Sequence, residues 1–542
     1  MNARLRLWLG AHPGDHIGVE WPTRATRALV AIPICVLAVL GWWAFRDRDY
    51  VLVDDAYIAF RYAANFADGS GLVWNPGERV EGYTNPLWVI LMSGFAKLGV
   101  DLVLPGILSS LAFAAACVAI VVHLGRRIPG AGPLAALLPG LLLATNPSFD
   151  HASTSAMEST AFAFLALLGI HLLIRSREHT RSAAGAALCF CAAYLTRPEG
   201  ALVAAIALGV EALARSGPLR DRVRALAPIA FAVALVIAAH VAARVAYYGY
   251  PLPNTYYAKV ILGRIAAVRG AAHVGGFLLA GGWLALPGVL EVERPSPLRP
   301  WFVHGYALLV AYTTYIVVVG GDHPFWYRFY VPLMPLPLLA TSQLAVRVAG
   351  RIADASLRWA GRALRTTFAV VSALAFVVLP RWLAYPFSER AEVIGHLEPG
   401  FRDIVTNIAR FFRDEAPAGS LVAALPVGHL GYYARNIRIL DMWGLNDVHI
   451  AHLDVPPLFK SGHDKYDPGY VILTKPDYAY MFRFDVPAPM PVPGYDICWP
   501  TKYFPFVIYR RNFPLAPAER ELGVPHDHPR YLAPPPACRP PP

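Results

Sequence analysis

The sequence predicts a mainly α-helical, polytopic membrane protein that ends in an extracytoplasmic α/β domain. Of its 542 residues, 56% are apolar and only 16% are charged, whereas a soluble domain has roughly 45–50% apolar and about 25% charged residues. Long apolar runs recur up to residue 385, and arginines cluster in alternate connections between them. The excess of apolar residues is therefore predicted to face lipid rather than water.

The first apolar run, Ala28–Phe45, has a length that suits a membrane-spanning helix and ends in a tryptophan pair typical of the headgroup level. No A-x-A cleavage site follows it, so we interpret it as an uncleaved anchor rather than a signal peptide. Together with the later runs it predicts about eleven spans. The later runs are Leu102–Val122, Ile128–Thr145, Ser159–Ile174, Ser182–Leu195, Ala201–Val210, Ala225–Ala243, Gly270–Leu290, Trp301–Gly320, Phe329–Val346 and Thr366–Leu379. The shorter run Leu87–Phe95 predicts an interfacial helix.

The arginine clusters predict the orientation of the chain. Threading the connections alternately places Arg126–Arg127, Arg175–Arg181 and Arg215–Arg224 on one side, which the positive-inside rule identifies as cytoplasmic. Much of the net charge of +11 is therefore a topology signal, which argues against nucleic acid as a partner. We predict a multi-pass protein of a bacterial inner (plasma) membrane.

The hydrophobic pattern stops near Tyr385. Residues 1–385 are predicted to form the membrane domain. Residues 386–530 contain short apolar stretches separated by Gly, Pro and Asp, which predicts an extracytoplasmic α/β domain. Residues 531–542 are rich in proline and are predicted to be a disordered tail.

The unusual polar segments of the chain all fall in the connections predicted to face outward. These segments are Val53–Ile58, Gly69–Pro86, Ser155–Ser159, Thr196–Gly200, Tyr247–Lys259 and Gly320–Tyr330. Loops gathered on one face of a rigid scaffold are where binding and catalysis concentrate. The sequence therefore predicts an active site at the outer membrane surface.

Asp54 and Asp55 follow the first predicted span. Two adjacent carboxylates repel, and partial desolvation raises the pKa of at least one of them. Such a group can act as a general base on a sugar hydroxyl, or the pair can coordinate a divalent cation. Taken alone, the pair is more typical of solvated acids at a helix end or of an N-cap.

Basic and aromatic residues of the outward segments are candidates for binding an anionic lipid. Arg197 can form a bidentate fork on a phosphate, or simply extend towards the membrane surface from a helix end. Lys259 and Arg264 begin a basic amphipathic stretch that can meet a lipid phosphate or anchor the chain to anionic lipid. Arg328 and Asp322 flank aromatic residues that can stack on a sugar ring, although such residues also populate every interfacial belt.

Five segments together resemble a known family. They are DDAYIAFRYAANFADGSGLVWNPGERVEGYTNPLW (Asp54–Trp88), LTRPEG (Leu195–Gly200), YYGYPLPNTYYAK (Tyr247–Lys259), GGDHPFWYRFYVPLMP (Gly320–Pro335) and ILDMWGLNDVHIAH (Ile439–His452). In this order they resemble the polyprenyl-phosphate-dependent glycosyltransferases with the GT-C fold. Within that family, the resemblance is to the group of terminal β-(1→2) arabinofuranosyltransferases of the mycobacterial cell wall.

The resemblance implies a donor sugar, with arabinofuranose the first choice, carried on a polyprenyl monophosphate in the membrane lipid, and a cell-envelope glycan as acceptor. It also implies a catalytic aspartate in the first outer loop, a role that falls on Asp54 or Asp55. We favour Asp54 as the base, with Asp55 orienting the acceptor or holding a cation, and the reverse assignment stays open. Arg197, Lys259, Arg264 and Arg328 are expected to hold the donor phosphate, an anionic leaving group that needs electrostatic stabilisation.

The remaining candidate residues are assigned to the sugar and the acceptor. The expected sugar-binding residues are Glu158, Asn254, Asp322, His323 and Trp326. The expected acceptor-binding residues are Glu81, Tyr83, Asp441 and Asn446. For Asp441 and Asn446 the alternative is that they brace the outer domain against the membrane part.

Three alternatives to an arabinofuranosyltransferase remain open. One is a transferase of another polyprenyl-phosphate sugar, namely mannose, a hexose or an aminosugar. Another is a lipid-linked sugar transporter, in which charged positions near the bilayer midplane and internal repeats are usual. Here the ionisable residues lie mostly at span ends on one face, and we find no internal repeat. The third is a non-catalytic envelope assembly factor, which would not need the two aspartates.

Overall fold

The computed structural model describes residues 31–39, 53–131, 135–322, 327–356, 401–456, 464–481, 495–498 and 508–511, and most of them are helical. Residues 31–39, inside the first predicted span, form a helix. The helices before residue 260 are Asp54–Ala67, Pro86–Lys97, Val103–Gly125, Leu138–Ala144, Pro147–Thr154, Ser159–Arg175, Thr180–Thr196, Gly200–Ala214, Leu219–Tyr248 and Asn254–Lys259. The later helices are Arg264–Leu279, Arg299–Val319, Pro335–Ser356, Phe401–Asp414, Gly428–Tyr433, Val448–Ala451 and Pro468–Leu473.

Several of these helices follow the predicted spans closely. Among the described residues, Val103–Gly125, Leu219–Tyr248 and Arg299–Val319 are long and apolar enough to cross a bilayer. Two bent helix pairs raise this number to five if each pair is one span. The other apolar helices are shorter, and the predicted span Thr366–Leu379 lies outside the described residues. The chain is thus a helical membrane protein with several apolar helices, and Pro86–Lys97 is helical where an interfacial helix was predicted.

One predicted span differs from the structure. The run Ile128–Thr145 begins with turns, and among its described residues the helical part comprises the 3₁₀ turn Ala135–Leu137 and the helix Leu138–Ala144. Gly130 adopts a φ of 75°, a left-handed conformation that ends helical propagation. Hydropathy alone does not register this break, because glycine in an apolar run carries no polarity.

Two bends interrupt otherwise apolar helical segments. Pro147–Thr154 and Ser159–Arg175 meet at 115°, and Ala156 between them has a φ of 56°. Arg264–Leu279 and the following 3₁₀ turns meet at 81°, with Gly281 at a φ of 107°. The first bend is the more consequential, because it sets Met157 and Glu158 at the start of a helix.

A five-stranded sheet lies in the C-terminal segment. Its strands are β1 (Leu421–Leu425), β2 (Arg438–Asp441), β3 (Tyr478–Met481), β4 (Tyr495–Cys498) and β5 (Ile508–Arg511), in the order β2-β1-β3-β5-β4. β1 pairs parallel with β2 and β3, while β5 pairs antiparallel with β3 and β4. The C-terminal segment therefore contains both helices and strands, and it begins after the long apolar runs of the sequence end.

The buried apolar residues form two large clusters. One lies among the membrane helices, from Leu37 to Ala340. The other combines residues of the helix Asp54–Ala67, such as Phe60, with residues of the C-terminal segment, such as Phe412 and Ile439. The C-terminal segment therefore packs directly on the helix Asp54–Ala67, and this contact positions the two aspartates at its start.

Candidate active site

Asp54 and Asp55 begin the helix Asp54–Ala67, where negative charge is favoured by the helix dipole. Successive residues of an α-helix are rotated by about 100° around its axis, because one turn takes 3.6 residues. The two carboxylates therefore diverge. Asp54 is directed towards the C-terminal segment, and Asp55 towards a cluster of basic residues from the membrane part.

The Asp54 carboxylate is held by backbone amides. The Gly428 N–H donates to Oδ2 at 2.7 Å, and the His429 N–H donates to Oδ1 at 2.9 Å. Burial raises the pKa of Asp54 to about 6, against the lowering effect of these two bonds, and the nearby Asp55 and Asp441 raise it further. Asp54 thus links the helix Asp54–Ala67 to the start of the helix Gly428–Tyr433.

Asp55 faces two cations. Its Oδ2 lies 3.0 Å from Nη1 of Arg328 and 3.5 Å from Nζ of Lys259. The Asp55 side chain is 29% exposed and that of Lys259 is 30% exposed, so this pair is reachable from solvent. Asp55 therefore combines accessibility with adjacent positive charge.

Arg328 connects Asp55 to a second acid. Its guanidinium forms a forked ion pair with Asp322, in which Nη2 donates to Oδ1 at 3.1 Å. Its Nη1 also lies 3.6 Å from Sδ of Met157. Burial lowers the pKa of Arg328, but Asp322 and Asp55 outweigh burial and hold the pKa above its usual value. Arg328 is therefore a permanently charged group at the centre of the cluster.

A second buried arginine lies next to this cluster. Nη1 of Arg197 donates to Oε1 of Glu158 at 2.8 Å, and its Nη2 lies 3.2 Å from Oε1 of Glu199. The Arg197 guanidinium also lies 4.9 Å from the ring centre of Phe329, the residue after Arg328. Arg197 and Arg328 are close enough for their charges to repel.

Glu158, expected to bind the sugar, is occupied by structural partners. Its Oε1 accepts from Arg197 and its Oε2 accepts from Nδ2 of Asn85 at 2.7 Å. The bend before helix Ser159–Arg175 exposes Glu158 to both groups. Glu158 therefore fixes the orientation of Arg197 rather than presenting a free carboxylate.

Asn254 is also a positioning residue in the structure. Its Nδ2 lies within hydrogen-bond distance of the carbonyls of Gly444, Leu445 and Asp447, at 2.8, 3.1 and 3.1 Å. These bonds attach the helix Asn254–Lys259, and with it Lys259, to the C-terminal segment. Arg264 lies exposed at the first residue of the next helix. The expected sugar-binding residues His323 and Trp326 lie outside the described residues.

Two expected acceptor residues lie in a buried network below the surface. Glu81 forms an ion pair with Arg244, with Nε of the arginine 2.5 Å from Oε2 of the glutamate. Burial raises the pKa of Glu81 to about 7, although Arg244 lowers it. The Tyr83 hydroxyl lies 3.0 Å from that of Tyr248. Glu81 and Tyr83 thus join the segment between the helices Asp54–Ala67 and Pro86–Lys97 to the long helix Leu219–Tyr248.

Asp441 and Asn446 form the contacts of a brace. Asp441 is buried and accepts hydrogen bonds from the backbone N–H groups of Trp443 and Asn446, both at 3.0 Å. Burial raises its pKa to about 6, against these bonds and one from the Asn446 side chain. Oδ1 of Asn446 accepts from the Tyr62 hydroxyl at 3.1 Å. The geometry matches the bracing alternative for these two residues.

Sequence reasoning missed Arg61, which holds the same junction. Arg61 is fully buried and donates to the carbonyls of Trp74, Gly431 and Ile437 at 2.7, 2.8 and 2.9 Å. It lies seven residues after Asp54, which is two helical turns, so both face the C-terminal segment. A charged residue on the apolar face of a predicted helix was the available signal.

The structure does not assemble the two aspartates into a cation site. The Asp54 oxygens accept backbone N–H bonds, and Asp55 is paired with Lys259 and Arg328. Within the part of the chain that the structure describes, no group of three or more His, Cys, Asp or Glu side chains is arranged to hold a metal ion. The donor set around the aspartates thus does not fit the divalent cation considered from the sequence.

Comparison with known proteins supports the resemblance predicted from the motifs. The terminal beta-(1->2)-arabinofuranosyltransferase of Mycobacterium tuberculosis (strain ATCC 25618 / H37Rv) is 29% identical to the chain over 305 residues. The match covers 52% of this chain and 47% of that protein, so it spans about half of the curated relative. Residues 396–516 also match a family described as a domain of unknown function, DUF8728.

Two solved structures share the fold. ArnT from Cupriavidus metallidurans superposes with a TM-score of 0.57 in its apo state and 0.55 when bound to undecaprenyl phosphate. The identities are 15% and 14%, and the matches cover 90% and 89% of this chain and 98% of each ArnT chain. The chain therefore has the GT-C fold that the sequence motifs predicted.

Proposed function

We propose that the chain is an integral membrane glycosyltransferase that moves a sugar from a polyprenyl monophosphate donor to an extracytoplasmic cell-envelope glycan. Arabinofuranose is the proposed sugar, because the curated relative is named as an arabinofuranosyltransferase. A polyprenyl phosphate is the proposed lipid, because the same fold in ArnT has been captured with undecaprenyl phosphate. The observation that carries the proposal is that Arg328 and Lys259 both form ion pairs with the partly exposed Asp55.

The basic residues suit the leaving group of such a reaction. As the bond between the anomeric carbon and the phosphate oxygen breaks, its electron pair remains on the polyprenyl phosphate. Preorganised cations stabilise charge that develops in the transition state. Arg328 is fixed by Asp322 and Lys259 is fixed by its short helix, so both cations are already in position. Arg197 lies near Arg328 and is held by ion pairs with Glu158 and Glu199.

Asp55 is the proposed general base, which reverses the assignment favoured from the sequence. The acceptor hydroxyl oxygen forms the new bond to the anomeric carbon, and its proton passes to the Asp55 carboxylate. A donor phosphate bound by Arg328 and Lys259 would compete with Asp55 for these two fixed cations and free an Asp55 oxygen for the hydroxyl. Asp54 becomes a positioning residue, since both of its oxygens are engaged by backbone amides.

The same proposal covers the arrangement of the chain. Residues 1–385 form the membrane domain, residues 386–530 an extracytoplasmic domain and residues 531–542 a tail. The chain spans a bacterial inner membrane several times, with the aspartates and the C-terminal domain outside the cytoplasm. Support comes from the apolar helices, the arginine clusters and the direct packing of the C-terminal segment on the Asp54 helix.

A transfer assay in nanodiscs tests the proposal. Purified protein is offered polyprenyl-phosphate arabinofuranose, mannose and an aminosugar with a glycan acceptor, with and without EDTA. We expect turnover with the arabinofuranosyl donor, unaffected by EDTA. Asp55→Asn should lower kcat by about 100-fold or more, since a positioned base contributes roughly that factor.

Asp54→Asn is the matched variant in this assay. It should reduce activity less than Asp55→Asn and should lower the thermal stability, because an amide NH₂ would face one of the backbone N–H donors. A greater loss of kcat with Asp54→Asn than with Asp55→Asn would restore the original assignment. Absence of transfer from every donor by folded protein would argue for the transporter or assembly alternative.

A further inference from the structure

Four aromatic rings that contact one another, here called the aromatic ladder, lie beside the helix Asn254–Lys259. Tyr257 stacks on His452 with ring centres 4.3 Å apart, and Tyr250 lies 5.0 Å from the same histidine. Tyr256 lies edge-on to Tyr257 at 5.8 Å. Tyr250 also lies 5.9 Å from Tyr257. Tyr250, His452 and Tyr257 therefore form a compact group, with Tyr256 at its edge.

The ladder is accessible. Tyr250 and Tyr256 are each 38% exposed, His452 is exposed and Tyr257 is half-buried. Aromatic rings normally bury most of their surface, so several neighbouring exposed rings point to a binding surface. None of these four residues is among those predicted from the sequence to bind substrate.

The ladder is also rigid, although it combines two distant parts of the chain. Tyr250, Tyr256 and Tyr257 follow the long membrane helix, whereas His452 follows the helix Val448–Ala451 of the C-terminal segment. The Asn254 side chain joins the two parts through the carbonyls of Gly444, Leu445 and Asp447. The rings are therefore held at fixed separations before any ligand arrives.

The ladder ends at the candidate active site. Tyr256 and Lys259 are three residues apart on one helix and lie on the same face. Nζ of Lys259 lies 3.5 Å from Oδ2 of Asp55. A chain-like ligand lying along the ladder would therefore reach the proposed base with one end.

We propose that the aromatic ladder is the acceptor-binding surface and that its ligand is the non-reducing end of a neutral oligosaccharide. This inference rests on the proposed function, because it names the acceptor of the same site. The C–H face of a furanose or pyranose ring is apolar and complements the negative face of an aromatic ring. The electroneutral character of the ladder suits a neutral glycan better than a charged one.

His452 adds a polar contact for sugar hydroxyl groups. Its Nδ1 lies 2.9 Å from the Val448 carbonyl, which can only accept, so Nδ1 carries the proton. Nε2 is then an acceptor available to a hydroxyl donor. The ladder thus offers both stacking and hydrogen bonding to a glycan.

The acceptor residues expected from the sequence leave room for this assignment. Glu81 is paired with Arg244, and Tyr83 contacts Tyr248. Asp441 and Asn446 are buried and bonded to each other. All four lie inside the junction between the membrane part and the C-terminal segment, whereas the ladder lies on its surface.

Oligosaccharide binding and transfer kinetics together test the ladder. The probe is a linear arabinofuranosyl hexasaccharide, with binding measured by saturation-transfer NMR and calorimetry on protein in nanodiscs. Tyr250→Ala and His452→Ala should weaken binding, and raise the acceptor KM, by about ten-fold or more, the loss of one stacking contact. The donor KM should stay within about two-fold of the wild-type value. Tyr250→Phe keeps the ring and should bind as the wild type does.

Trp283→Ala is the matched control, since Trp283 is an exposed aromatic residue, 37% accessible, beyond the far end of the helix Arg264–Leu279. It should leave hexasaccharide binding unchanged. Unchanged hexasaccharide affinity and acceptor KM in Tyr250→Ala and His452→Ala would overturn the proposal. Ladder-dependent hexasaccharide binding without transfer from any donor would keep the ladder and overturn the proposed function instead.

Discussion

Asp55 and Arg328 form an ion pair in which Oδ2 of the aspartate lies 3.0 Å from Nη1 of the arginine. This pair joins the start of the helix Asp54–Ala67 to the 3₁₀ turn Arg328–Leu333, which precedes the helix Pro335–Ser356. The adjacent Asp54 faces a different direction and accepts hydrogen bonds from the backbone amides of Gly428 and His429. One dipeptide therefore connects the basic cluster and the C-terminal segment.

Lys259 and Arg264 provide a test of the basic cluster within one segment. Lys259 contacts Asp55, whereas Arg264 is exposed at the next helix start. Lys259→Ala should lower kcat/KM for the donor by about 10- to 100-fold, because one preorganised cation is lost from the leaving group. Steady-state kinetics with varied donor measures this effect. Arg264→Ala should stay within about two-fold of the wild type, as expected for an exposed charge, and equal losses in both variants would contradict the distinction.

Gly428→Ala should disrupt the contact between the two parts of the chain. A Cβ at this position would collide with the backbone carbonyl of Asp54 and would lie 2.8 Å from its carboxyl carbon. We expect a loss of about 1–3 kcal/mol in the free energy of unfolding, the usual cost of overpacking. Thermal unfolding in detergent measures it. Gly275→Ala, where a Cβ would meet open space, is the control, and equal Tm values for the two variants would count against this contact.

The pH dependence of stability should report on Asp54. Burial raises its pKa in the folded chain from 3.8 to about 6, so the folded state binds the proton more tightly than the unfolded state. The contribution is fully present below pH 3.8 and is lost as the pH rises through about 6. It amounts to at most about 3 kcal/mol.

Thermal unfolding of wild type and Asp54→Asn between pH 4 and 7 isolates this contribution. As the pH rises, the wild type should lose stability relative to Asp54→Asn. Asp441, whose pKa burial also raises to about 6, titrates in both proteins, so the difference removes its own titration and keeps only its interaction with Asp54. Parallel Tm curves would show that Asp54 does not titrate in this range.

Arg244→Ala should destabilise the protein strongly. It would leave the buried Glu81 carboxylate without its ion-pair partner, which typically costs about 3–5 kcal/mol. A double-mutant cycle with Glu81→Gln, followed by thermal unfolding, measures the coupling. The double variant should recover part of the loss, since a neutral amide is less costly to bury. Additive losses would mean that the two side chains do not interact energetically.

The membrane character of the chain and much of its candidate site were predictable from the sequence. Hydropathy identifies long apolar helices such as Val103–Gly125 because the transfer of apolar side chains into lipid depends on composition. The segments carrying Asp55, Lys259 and Arg328 were likewise identified by their polarity at the ends of predicted spans. What the pattern could not predict is which of the polar residues meet, because ion pairs such as that of Asp55 and Arg328 join positions far apart in the chain.

The sequence by itself therefore determined the helical membrane character and the acids, cations and aromatic rings near the ends of the predicted spans. Only the tertiary structure decided which of these residues meet. It places Asp54, Asn254 and Asp441 in hydrogen bonds with the backbone, leaves Asp55 accessible, and brings Tyr257 and His452 into contact. The reason is physical: hydropathy is a sum over neighbouring residues, whereas the role of a buried polar group depends on the partner that compensates its desolvation.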